Sequence, residues 1–131
     1  MPPDLTPALH RAYRMTRYSA AGITVRIGRR SREMDRLLIS HGQREAVFIT
    51  AWNPFSRRMP EGWNRRMQSR LARAASRWPV LPAEGRWRRW CEAHVLVFAA
   101  AASMAMLARR YRQNAIVIVR IRQQTRLSVL G

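Results

Sequence analysis

The chain has 131 residues, 47% of them hydrophobic, with five Trp, three Tyr and three Phe; this is enough apolar material for one packed core and excludes disorder as a description of the whole. Its 25 basic residues, every one of them Arg, stand against seven acidic ones, a net charge of +18. Such a charge favours polyanionic partners (RNA, DNA or an acidic membrane surface), although an arginine-only, alanine-rich composition is also what a GC-rich genome produces. The single cysteine, Cys91, excludes an internal disulfide framework and fits a reducing compartment. Pro2, Pro3, Asp4 and Pro7 interrupt any secretory pattern at the start. The longest apolar run, Val95 to Ala108, falls short of the roughly 20 residues a spanning helix needs. A cytoplasmic protein without a transmembrane segment is expected.

Thr6-Pro7 starts a helix, with Thr6 as the cap and Pro7 at the first helical position, running to about Arg17 with Leu9, Ala12 and Tyr13 on one face. Ile23, Val25 and Ile27 alternate with Thr24 and Arg26 as a half-buried strand closed by Gly28. Ser31 caps a second helix, Glu33 and Asp35 complement its dipole, Leu37 and Leu38 form its apolar face, and Gly42 ends it. Ala46 to Trp52 is continuously apolar, the profile of a central strand covered on both faces, and Pro54 stops it. A third helix begins at Pro60-Glu61 and repeats Trp63, Met67 and Leu71 at helical spacing. Pro79 and Pro82 end it and open an irregular stretch through Trp90. His94 to Phe98 is a strand, Ala100 to Arg112 a fourth helix, Ala115 to Ile121 a strand and Arg126 to Leu130 a last short strand. The predicted class is α+β: a single two-layer domain over residues 1–131, with a small mixed sheet covered by about four helices.

The motifs of common catalysis are missing. His10, His41 and His94 with one cysteine give no zinc spacing, and no phosphate-binding glycine loop or Gly-x-Ser-x-Gly is present. Neither a cofactor nor a metal is implied, and no residue stands out as nucleophile or general base, so whether a reaction is catalysed stays open. What remains is neutral and polar. Thr50, Asn53, Ser56 and Asn64 cluster between the end of the central strand and the start of the third helix, with Arg57 and Arg58 between them. A strand end facing a helix N-terminus suits a small anionic or nucleotide-like ligand. Gln113 and Asn114, after the fourth helix, join this candidate ligand site. The plainer roles come first: Asn53 suits the turn after a strand, Ser56 and Asn64 the satisfaction of loop backbone groups, and Asn114 a left-handed helix cap. The alternative is a non-enzymatic RNA- or DNA-binding accessory protein. It would use Arg65, Arg66, Arg70 and Arg73 on the third helix together with Trp87, Arg88, Arg89 and Trp90, where aromatics interleave with cations.

These elements resemble the bacterial family catalogued as domain of unknown function 3293. The resemblance rests on Ala12-Tyr13 with Thr16 and Tyr18, on Phe48 to Pro54 with Ser56, on Asn64, on Trp87 with Glu92, and on Arg109 to Ile116. It implies a shared fold and a shared polar site, without an assigned activity. The chain departs from the family pattern in its basicity and in the shortened, arginine-loaded stretch Arg77 to Arg89.

Overall fold

The computed structural model describes residues 5–131. Pro2, Pro3 and Asp4, three of the four residues on which the expected lack of a secretory pattern rests, lie outside them. Both predicted helix caps form. Thr6 Oγ1 accepts the Leu9 N–H at 3.1 Å at the head of α1 (Pro7–Met15), and Ser31 Oγ accepts that of Met34 at 3.0 Å at the head of α2 (Arg32–Ser40). α3 spans Glu61–Ala75 and α4 spans Ala101–Arg110. The strands are β1 (Arg17–Ala20), β2 (Ile23–Val25), β3 (Glu45–Ile49), β4 (Val80–Trp87), β5 (Trp90–Val97), β6 (Ala115–Arg120) and β7 (Arg126–Val129).

The seven strands among the described residues join one curled sheet in the order β2-β1-β4-β5-β3-β6-β7, and every neighbouring pair is antiparallel. The class is α+β, with four α-helices among the described residues, but the sheet is neither small nor mixed. The connections explain the difference. β3 and β4 run parallel and are joined by α3, yet β5 lies between them; β5 and β6 are likewise joined by α4, with β3 between them. Two interlocked crossovers thus interleave helices and strands along the chain and still leave only antiparallel neighbours.

The two-layer expectation is also corrected, because helices pack on both faces. Val47 and Ile49 point to one side, where Leu71 and Ala75 of α3 meet Met104 and Leu107 of α4. Ala46 and Phe48 point to the other, against Met34 and Leu38 of α2 and Tyr18 of β1. Strand alternation makes this division unavoidable once β3 has partners on both sides.

The expected irregular stretch from Pro79 to Trp90 is instead β4, a tight turn and the start of β5. Pro82 is tolerated because β1 pairs with β4 only from Ala83 to Arg86, so the missing N–H lies where no strand needs it. β1 also replaces the predicted end of the first helix, burying Tyr18 and Ala20 while Arg17 points out. Finally, the segments beside the sheet's two outer strands are tied together. The Gly28 N–H donates to Thr125 C=O at 2.8 Å and the Thr125 N–H to Arg29 C=O at 2.9 Å, beside an Arg30–Gln124 bridge. Among the described residues no helix is long and apolar enough to cross a membrane.

Candidate functional site

On the sheet face that carries α1 and α2, the curl leaves a cavity of about 220 Å³. α1 covers it with Leu9, Ala12 and Tyr13, the sheet supplies Tyr18, Phe48, Gly85, Glu92, His94 and Val117, and the loop after β3 adds Trp52, Asn53 and Ser56. Its floor is buried, whereas Ser56, Arg58 and Trp90 are exposed and mark the mouth.

Gly85 makes room for the site. A Cβ there would lie 2.9 Å from His94 Cε1 and 3.4 Å from Thr16 Cγ2, so only glycine lets the imidazole settle against β4. The ring meets Tyr18 edge-on, centroids 5.6 Å apart, and Tyr18 in turn packs on Phe48. Burial lowers the pKa of His94 to about 4, so the ring is neutral at neutral pH. Its Nδ1 lies 3.1 Å from the Glu92 carbonyl, which can only accept; the proton therefore sits on Nδ1 and Nε2 is left as an acceptor.

Among the described residues Glu92 is the single carboxylate in the cavity wall. Burial raises its pKa, and the Asn53 amide, donating from Nδ2 to Oε1 at 3.0 Å, works against that rise. Asn53 is itself fixed from behind. Its Oδ1 accepts from the Met59 N–H and from Asn64 Nδ2, both at 2.9 Å, and its own N–H donates to Asn64 Oδ1 at 3.0 Å. These bonds hold a left-handed backbone: φ is 46° at Asn53, 50° at Phe55 and 60° at Ser56. Such a conformation costs roughly 1–2 kcal/mol at each residue other than glycine, and clusters of this kind occur at functional sites. The Phe55 N–H anchors the loop to Arg112 C=O at 2.6 Å. Burial also pushes the Tyr13 hydroxyl up to about 12, with Ser56 opposing, so it remains a protonated donor.

The predicted ligand residues divide. Thr50, Asn53, Ser56 and Gln113 line the cavity. Thr50 nevertheless donates to Ala93 C=O at 2.6 Å and Gln113 Nε2 to Trp52 C=O at 3.1 Å, so both groups also brace the protein. Asn64 and Asn114 sit behind the wall, Asn64 holding Asn53 and Asn114 Nδ2 donating to Ser56 Oγ at 2.8 Å. The first turn of α3 does not line the cavity, and of the two loop arginines only Arg58 reaches it.

Of the alternative set, Arg65, Arg66, Arg70 and Arg73 are exposed along α3, Arg65 pairing with Glu61 at 2.7 Å. Trp87 and Trp90 face each other across the β4–β5 hairpin and therefore share one sheet face, the one that rims the cavity. Arg88 lies 4.7 Å above the Trp87 ring and Arg58 5.9 Å from that of Trp90, while Arg89 is exposed at the tip. Sequence reasoning did not place Tyr13, Tyr18, Gly85, Glu92 or His94 in the site. The i, i+2 spacing of Glu92 and His94 puts both on one strand face and is the readable signal.

A family model described as a protein of unknown function, DUF3293, matches residues 49–116, just over half of the chain. The chain belongs to this family. The matched span runs from the end of β3 to the start of β6 and contains Asn53, Asn64, Glu92, His94 and Gln113; Tyr13 and Tyr18 lie before it. No curated protein and no solved structure matches the chain.

Proposed function

We propose that this chain is a cytoplasmic, single-domain binder of a small nucleotide-like ligand, with the ring inside the cavity and an anionic group at the mouth beside Arg58. The observation that carries the reading is the cavity itself: aromatic walls from Tyr13, Tyr18, Trp52 and Trp87, a polar end at Asn53 and Glu92, and a cation with Trp90 at the opening. Ligand pockets commonly combine apolar walls with a few fixed polar groups, at volumes of roughly 300–1,000 Å³; about 220 Å³ suits a ring rather than a chain. Glu92 makes the interior unsuited to an anion, so a phosphate belongs outside. A thermal-shift screen of nucleotides and phosphorylated metabolites tests this. A ligand at 100 times its Kd raises stability by about 2.7 kcal/mol, and Asn53→Ala should abolish the shift. A screen without hits, or hits indifferent to Asn53→Ala, refutes the site.

A second reading, RNA or DNA binding, is favoured by the four exposed arginines of α3. Binding to single strands should then weaken with salt, with a slope of roughly −0.7 per neutralised phosphate. Replacing Arg65, Arg66, Arg70 and Arg73 by Ser should flatten that slope. Protein free of nucleic acid at low salt, with no mobility shift of RNA or duplex DNA, refutes it.

A further inference from the structure

The orientation of the Asn53 amide is not arbitrary. Its Oδ1 takes the Met59 backbone N–H, which can only donate, so Nδ2 must face Glu92 Oε1. One hydrogen of Nδ2 serves that bond, and among the described residues no protein group takes the other. Glu92 Oε2 likewise receives no protein donor among them, and Oε1 keeps a second lone pair. Asn53 and Glu92 therefore present two acceptors followed by one donor in the wall of an aromatic cavity.

The matching edge is two donors followed by one acceptor. An exocyclic amine, a ring N–H and a carbonyl in that order form the 2-amino-4-oxopyrimidine edge shared by guanine and pterins. Adenine and cytosine each set one amino group beside a ring lone pair, which would meet a carboxylate oxygen. Uracil flanks its N–H with two carbonyls. A carboxylate bonds paired N–H donors in a fork, with charge assistance, and a site built for a hydrogen bond rejects analogues that leave its groups unpaired. The carboxylate also needs such donors, because it is costly to bury with only one partner.

We infer that Glu92 and Asn53 read the 2-amino-4-oxopyrimidine edge of a guanine or pterin ring held in the cavity. The inference rests on the nucleotide-like reading above and narrows it.

Titration calorimetry of the intact chain with guanosine, adenosine, cytidine, uridine and inosine 5′-monophosphates and with a free pterin tests it. Guanosine monophosphate or the pterin should bind at least about tenfold tighter than the adenosine, cytidine and uridine nucleotides. Inosine monophosphate, which lacks only the exocyclic amine, should bind more weakly than guanosine monophosphate, a comparison that needs no variant. Glu92→Gln should erase the preference. Preference for the nucleotide identifies guanine as the source of the edge, and preference for the pterin identifies a pterin. Equal affinity for all the nucleotides, unaffected by Glu92→Gln, overturns the inference and leaves the nucleotide-like reading standing. Failure of the whole panel to bind overturns both.

Discussion

Asn64 makes no contact with the cavity and yet should govern it. The side chain is only 1% exposed; it accepts the Asn53 N–H and donates to Asn53 Oδ1 and to Met59 C=O. Asn64→Ala leaves the Asn53 N–H buried without a partner, which costs about 1–3 kcal/mol, and removes two further bonds worth roughly 0.5–1.5 kcal/mol each. A loss of about 3 kcal/mol is therefore expected. For a chain of this length each kcal/mol moves the midpoint by roughly 3–5 °C, so the fall should be about 9–15 °C. Asn64→Asp keeps the acceptor for Asn53 N–H but sets an oxygen against Asn53 Oδ1 and Met59 C=O, and should fare no better near neutral pH. Thermal melts paired with hydrogen exchange at the Asn53 amide read both effects. A loss below about 1 kcal/mol with unchanged exchange would refute the argument that Asn64 sustains the left-handed loop.

Gly85→Ala forces a methyl against the His94 ring at 2.9 Å; an overpacking cost of about 1–3 kcal/mol is expected, together with weaker ligand binding, both measurable by melts with and without ligand. The acid limb of stability carries the signature of His94. Its pKa falls from 6.5 to about 4 on folding, so the unfolded chain binds more protons between those values and stability drops as pH is lowered through that window. The slope reaches about 1.4 kcal/mol per pH unit for one such group. Glu92, with its pKa raised, acts with the opposite sign above the ordinary glutamate value. His94→Gln should flatten the acid limb and Glu92→Gln should steepen it, as seen in midpoints measured from pH 4 to 7. Leu38 and Leu71 are both fully buried, on opposite faces of the sheet; each change to Ala should cost about 2–5 kcal/mol in urea melts, and a cheap substitution at either would mean that its face is not a packed core.

Local chemistry carried most of what could be read in advance. Thr6 and Ser31 cap the helices they were expected to cap, and the apolar run after Glu45 is an interior strand flanked on both sides. β1 escaped notice because four residues, Arg17–Ala20, offer only two inward side chains, and no periodicity emerges over so short a span. β4 was hidden by Pro82, whose harmlessness depends on where β1 stops pairing, a long-range fact. The site divides in the same way. Thr50, Asn53 and Ser56 are adjacent in sequence and were legible as a polar cluster. Glu92 and His94 reach them only through the β3–β5 pairing, and Tyr13 only through the packing of α1 across the sheet. Asn64, legible as part of the same polar cluster, does not line the cavity and bonds to Asn53 from behind it, a distinction that needs hydrogen-bond geometry.

The ties from Gly28 and Arg29 to Thr125 also bear on how the chain behaves in company. A sheet this rich in Val and Ile would invite strand addition wherever an edge lies open. Here the two outermost strands are only three and four residues long, and the segments beside them already bond to each other. Little edge remains for a second copy to extend, and the arginine-studded exterior repels one. Protection against fibrillar growth is thus concentrated in a few backbone bonds between the early and the last part of the chain.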